Sequence, residues 1–205
     1  MSINETSFGK HGITAETPEN IPFGPGAVYK NLTFDSVSKK WTGDTLCATK
    51  DGSKFSIKPN ITPLEIDGAN VAFVGGDIKV GETATLEIHV AEYKNDLLAS
   101  AMIGEVTSDA KATDYDVIVT REDIRAGDYL DNLGFVGLTA TKTPIVVVFE
   151  KALCTSGLES EHKPKAQGGY SLTFEARATD ITGNLDKLPV KIYRPKVKTV
   201  KGTGE

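Results

Sequence analysis

The stretch GETATLEIHVAEYKNDLLASAMIG, residues 81–104, changes its hydrophobic period halfway along. Ala84, Leu86, Ile88 and Val90 alternate with Thr83, Thr85, Glu87 and His89, the spacing of a strand with one buried face. From Tyr93 the apolar positions move to Leu97, Leu98, Ala101 and Met102, three and four residues apart, which is helical. Asn95 is placed to cap this helix, Asp96 suits the positive end of its dipole, and Gly104 is placed to end it in a left-handed conformation. A helix near 95–103 is too short to hold in water by itself, so it must dock on something. Leu97, Leu98 and Ala101 are its expected docking residues.

Outward from this stretch the chain reads as strands. AVYKNLTF (27–34), TLCAT (45–49), KFSIKPNI (54–61) and NVAFV (70–74) precede it; YDVIVT (115–120), YLDNLGFVGLTA (129–140), PIVVVFEKAL (144–153), GYSLTFEARATD (169–180) and LPVKIYRP (188–195) follow. Asp51-Gly52 is the pair expected to turn a hairpin between the second and third runs. Tyr170, Leu172, Phe174 and Ala176 alternate with Ser171, Thr173, Glu175 and Arg177. Ile145 to Phe149 are apolar without a break, which predicts a strand covered on both faces by a second sheet, a helix or a neighbouring subunit. The pattern predicts a mainly β protein, an antiparallel β-sandwich or barrel with one short flanking α-helix.

The 205 residues are expected to form one domain, because all-β domains often reach this length undivided. An arm is expected over residues 1–22, where Gly9, Gly12 and Pro18 interrupt the scattered apolar positions Met1, Ile3, Phe8, Ile13 and Ala15. The sandwich core is expected over 23–195, and residues 196–205 form a basic tail. Between Lys187 and Lys201 there are six basic residues and no acidic one.

The formal charge of -5 argues against general nucleic-acid binding, which draws its affinity from basic clusters. No apolar run is long enough for a membrane span, and the opening residues MSINETSFGKHG lack an apolar signal segment, so folding in a cytoplasm is expected. Cys47 and Cys154 are isolated and expected as reduced thiols. His11, His89 and His162 lie far apart, and no metal site is expected. Ser156 in CTSGLE lacks the strand-turn-helix setting of a nucleophile elbow, while FGPG (23–26) and VGGD (74–77) lack the helix that follows a phosphate-binding loop. These motifs read as turns, and no catalytic constellation or cofactor is expected.

One segment is strongly acidic. Glu105, Asp109, Asp114, Asp116, Glu122, Asp123, Asp128 and Asp131 are opposed only by Lys111, Arg121 and Arg125. Two readings compete: a solvated loop region, or a surface that repels a polyanion.

The runs IPFGPGAVYKNLTFD, GSKFSIKPNITPLEIDGA, GGDIKVGETATLEIHVAEYKNDLLASAMIG, ALCTSGLE and LPVKIYRP together resemble the major tail protein, or tail tube protein, of long-tailed bacteriophages. The likeness covers most of the chain from Ile21 to Pro195 and is most specific at the strand followed by the short helix. It implies a β-sandwich flanked by one helix, assembled as hexameric rings that stack into a hollow tube, the conduit for DNA ejection into the host. It also implies location in the virion tail after assembly in the bacterial cytoplasm. The implied partners are further copies of the chain, the tape-measure protein, and the tail terminator and distal tail proteins. DNA would pass through the lumen without specific binding, with the eight carboxylates above as candidates to line it. A soluble β-sandwich binding or adhesion module of a phage particle is the alternative, but it calls for exposed aromatics, and Trp41 stands alone in the sequence. The arm's lack of period predicts that it adds little to the monomer's core, and the resemblance implies that terminal arms and long loops link adjacent rings. A chain beginning at Ile21 should therefore keep its β-type circular dichroism and cooperative melting but form only short stacks in electron micrographs; full-length tubes from that chain would remove the arm from the ring-to-ring contact.

Overall fold

The computed structural model describes residues 12–196 apart from 15, 69, 166, 180, 181, 184 and 186. The expectations for residues 1–11 of the arm and 197–205 of the tail lie outside the described residues. A short helix α1 (Thr17–Asn20) is followed by strands β1 (Ala27–Asp35), β2 (Lys40–Cys47), β3 (Thr49–Pro63) and β4 (Asp77–Val90). Next come helix α2 (Asn95–Met102), β5 (Gly104–Ser108), β6 (Asp116–Thr120), β7 (Tyr129–Leu138), β8 (Pro144–Cys154), β9 (Ser160–Glu161), β10 (Gly169–Ala176) and β11 (Val190–Tyr193). All pairing is antiparallel.

The main sheet runs β2-β1-β7-β8-β10-β4-β3, with β11 added to β8 and β9 to β10. β2 and β3 stand at its two ends, yet only Ala48 separates them in the chain. Two residues reach about 7 Å, whereas seven flat strands about 4.8 Å apart would span roughly 29 Å. The sheet must therefore curl until its ends meet. At that corner Thr49 pairs with Val90, the Ala91 amide donates to the Ala48 carbonyl at 3.0 Å, and the Ala48 amide donates to Glu92 Oε1 at 2.7 Å. The core lies inside the curl.

Inward positions fill it as the alternation requires: Ala84, Leu86, Ile88 and Val90 from β4 lie beside Leu172 and Phe174 of the neighbouring β10 and join Phe149 from β8 in one cluster. The apolar run of β8 is covered on both faces within the chain. Val147 and Phe149 enter the main core, while Val146 and Val148 pack in a second cluster under Leu32, Tyr29 and Trp41. β1 serves both clusters because its pairing with β2 shifts between Lys30 and Thr33, where Asn31 takes φ 57°. Val28 thus points into the main core and Leu32 into the second.

Helix α2 plugs the open flank of the curl, burying Leu97 and Ala101 in the main core with Leu98 packed beside them. β5 and β6 form a separate two-stranded sheet against α2.

Local readings differ from the sequence in four places. Asp51-Gly52, with φ 58° and 86°, does not turn a hairpin; it makes a bulge inside β3, where the register slips between Thr49 and Ser53. The two needs look alike in sequence, since both a hairpin turn and a bulge ask for positive φ. Residues 70–74 form no strand and belong to the loop at the tip of the β3–β4 hairpin. Thr17–Asn20 of the arm is a helical turn, with Pro18 tolerated in its first turn, and Phe23 is pinned to β7 through its amide and the Leu138 carbonyl at 2.8 Å.

The fourth difference is at the ends of α2. Lys94, not Asn95, occupies the N-cap without a side-chain bond, and Asn95 instead donates to Asp116 at 2.6 Å. The left-handed residue at the C-terminus is Ile103, φ 48° and ψ 55°, and not Gly104. Gly104 is required for space: a Cβ there would lie 2.4 Å from the Val119 carbonyl oxygen across the β5–β6 ladder. Left-handed backbone costs an L-residue about 1–2 kcal/mol. Gly104→Ala should therefore lower the melting temperature more than Ile103→Gly, which loses a half-buried side chain but relieves the strain, and the reverse ranking would contradict the close approach. Leu97→Ala should cost about 2–5 kcal/mol in urea unfolding; an unchanged midpoint would mean that α2 is not packed.

Candidate functional site

The polar side chains with catalytic potential are brought into small, unsupported contacts. His89 Nδ1 lies 2.7 Å from Ser171 Oγ on the solvent face of β4 and β10. His162 Nε2 lies 3.2 Å from both Ser160 Oγ and Tyr93 Oη, and these two hydroxyls are hydrogen-bonded to each other. Neither imidazole has a carboxylate on its other nitrogen, so the orienting member of a catalytic triad is missing among the described residues. Ser156 Oγ accepts from the Thr173 amide at 3.0 Å and donates to the Gly157 carbonyl at 3.1 Å, which ties the loop after β8 to β10. A groove of about 520 Å³ runs past His89 and Ser171 between the β3 bulge and this loop. Four of its charges are paired along the chain, Lys163 with Glu161 at 3.0 Å and Lys50 with Asp51 at 4.0 Å, while Glu159 has no ion pair among the described residues. Among the described residues no group of His, Cys, Asp and Glu is arranged to hold a metal ion.

Cys47 and Cys154 are both buried in the main core as free thiols. Burial, and then the charge of Glu92, pushes the Cys47 thiol up to about 11, and burial raises that of Cys154.

The acidic segment is an ion-pair network more than a carboxylate surface. Arg121, only 7% exposed at its side chain, donates to the Gly104 carbonyl at 3.2 Å and to the Asp128 carboxylate. Arg125 reaches Glu105 at 3.0 Å and Asp123 at 3.4 Å; Asp123 foremost, and Glu105, hold its pKa above the usual guanidinium value. Asp131 pairs with Lys151 at 2.5 Å. Asp116 accepts from Asn95, and Asp109 accepts the Lys111 amide at 2.8 Å in its own turn. Asp114 and Glu122 have no hydrogen bond or ion pair among the described residues. The ion pairs join the β5–β6 hairpin to the turn before β7, the Asn95–Asp116 hydrogen bond joins it to α2, and Asp109, Asp114, Asp116 and Glu122 have no cationic partner among the described residues.

The largest unexplained feature is apolar. Past Ala84 and Glu82, β4 runs on to Val80 and Ile78, which are 63% and 47% exposed, across a one-residue bulge: Asn60 pairs with Gly81 but Ile61 with Lys79, so Lys79 takes the phase of Ala84 and Ile78 turns to the other face. Along β3, Phe55 and Ile57, paired with Leu86 and Ala84, and Ile61, paired with Lys79, are also open to solvent, and the tip carries Val71, Phe73 and Val74. This half of the β3–β4 hairpin overhangs the core. Its β4 edge is bare from Asp77 to Ala84, because β10 pairs only with residues 85–90. The alternation predicts a strand that starts at Gly81; the bulge next to that glycine breaks the phase, and β4 continues beyond it to Asp77.

Trp41 has partners that its sequence position concealed. Phe34 and Tyr193 lie 5.3 and 4.9 Å from it, centroid to centroid, at interplanar angles of 56° and 67°. Rings at those angles seal the second cluster and make no coplanar stacking platform.

No family model and no curated protein matches the chain. In shape it is similar to a chain of the virion of a native gene transfer agent particle, with TM-score 0.38 and 8% identity over 76% of this chain and 92% of that one. It is also similar to a chain of the tail of an empty gene transfer agent particle with C6 symmetry, with TM-score 0.34 and 9% identity over 75% and 91%.

With both thiols buried and their ionisation opposed, a thiol-specific reagent at about pH 8 should label neither cysteine in the folded protein and both in urea. Rapid labelling of the folded chain would show that the corner at Cys47 or the end of β8 opens.

Proposed function

We propose that this chain is a structural subunit of a phage-type tail, which polymerises as stacked hexameric rings into a tube that conducts DNA. Two independent lines support the reading: the resemblance of residues 21–195 to tail tube proteins, and the overhanging β3–β4 hairpin. The overhang carries the argument. Fully burying a Val, Ile or Phe side chain gains about 1.5–3 kcal/mol, so a lone subunit leaves several such contributions unused along one bare strand. A long apolar strand edge invites pairing with another chain. A second copy is the occupant that fits, since the overhang lies on one side of the molecule and can rest on the curled sheet of a neighbour placed head to tail. Contacts of that kind close into rings or continue as filaments.

The conduit follows from charge. A tube of subunits that each carry -5 presents phosphate with a repulsive wall, and repulsion suits passage without binding. In this role the chain works within the virion tail, after assembly in the host cytoplasm, with further copies, a tape-measure protein and terminator and distal tail proteins as its contacts. The adhesion reading gains nothing from Trp41, whose ring packs edge-on against its neighbours.

Negative-stain imaging of the purified protein is expected to show rings or tubes. Ile78→Lys combined with Val80→Lys should leave circular dichroism and melting unchanged and abolish them. Wild-type chains that stay monomeric at every concentration would refute the tube, and tubes from the double variant would move the contact away from the overhang.

A further inference from the structure

We propose that the β5–β6 hairpin of one copy docks on the β11 segment of the next, through open strand edges of opposite charge. The inference rests on the self-assembly proposed above and specifies one of its contacts. β5 and β6 pair only with each other, so each keeps one edge without a strand partner. A two-stranded hairpin is marginal in water by itself. This one also exposes Val106, Tyr115 and Val119, at 44%, 73% and 38%. Its tip is acidic on balance, Asp109 and Asp114 against Lys111, and neither carboxylate has an ion pair among the described residues.

β11 is the complementary surface. It pairs with β8 on one side only, and it exposes Ile192 and Tyr193. Its flanks are basic: Arg194 contacts only the neutral amide of Asn20, and Lys196 has no ion pair among the described residues. No described ion pair links the hairpin to this segment within one chain. Each surface therefore has an open edge, exposed apolar side chains and uncompensated charge, and the signs are opposite. Because the two are different patches of one chain, their contact is head-to-tail. Charge complementarity selects the partner and the register, and like charges in the same place cost several kcal/mol.

The test uses full-length chains, with folding checked by circular dichroism. Asp109→Lys with Asp114→Lys makes both patches basic; Arg194→Glu with Lys196→Glu makes both acidic. Each pair alone should raise the concentration needed for assembly by about tenfold or more. Mixed in equal amounts, the two variants should assemble again, because strict alternation restores every opposite-sign contact and a ring of even number can close. Combining all four substitutions in one chain should restore assembly as well. Assembly of either variant alone at wild-type concentrations overturns the proposal, and so does failure of both the mixture and the fourfold variant to assemble. Wild-type protein that never assembles would overturn the tube reading with it, whereas wild-type tubes without rescue would overturn only this pairing.

Discussion

The single residue between β2 and β3 is the constraint on which the rest depends. Ala48 joins the two ends of the main sheet, and a chain that short cannot cross the width of a flat sheet. Curling is imposed by connectivity before any side chain is considered. Once curled, the sheet has an inside, and the period-two alternation of β4 and β10 fills it. Glu92 fixes the corner: the Ala48 amide first, and Lys94 second, hold its carboxyl below the usual range. The curl also creates the need that α2 meets, since one flank stays open and Leu97 and Ala101 close it.

How much of this was legible in the sequence depends on the range of the interaction involved. The change of period between residues 81 and 104 is local, and it places the helix within a residue and the end of the strand, while the strand's start lies further out, at Asp77. The two-sided burial of Ile145–Phe149 was equally local, but its cover was not: it comes from a bulge in β1 that sends Leu32 to the opposite side from Val28. Asp51-Gly52 was misplaced for a related reason. The dipeptide reports only that the backbone needs positive φ, and whether that serves a hairpin or a bulge is decided by β4, far along the chain. Ile103 shows the limit from the other side. Sequence favours Gly104 for the left-handed turn, but the glycine is held by the close approach of Val119, and the turn falls on its β-branched neighbour.

The acidic segment separates counting charges from locating them. Eight carboxylates against three cations reads as a repulsive surface, yet Glu105, Asp123 and Asp128 converge on Arg121 and Arg125, and Asp131 pairs with Lys151. A charge that is paired at 3 Å contributes little field at the distance of a passing polyanion, whatever its formal sign. Of what remains unpaired, Asp109 and Asp114 sit at the tip of a hairpin with open edges. Residues that look alike in composition therefore divide into those that hold the hairpin to the turn before β7 and those free to meet something else.

The same division bears on why a subunit with bare edges need not aggregate at random. Open strands and exposed apolar side chains make any two copies attract, and the attraction carries little direction. The net charge of -5 opposes every approach alike. On the pairing proposed above, an approach that sets the acidic hairpin tip against the basic end of β11 turns repulsion into attraction while also covering apolar surface. Hydrophobic burial then supplies strength, and the placement of a few unpaired charges supplies the choice of contact. A contact chosen in this way joins two different patches of the same chain, so it repeats from copy to copy and leaves an open edge at the end of every incomplete chain of subunits, until a ring closes and removes it.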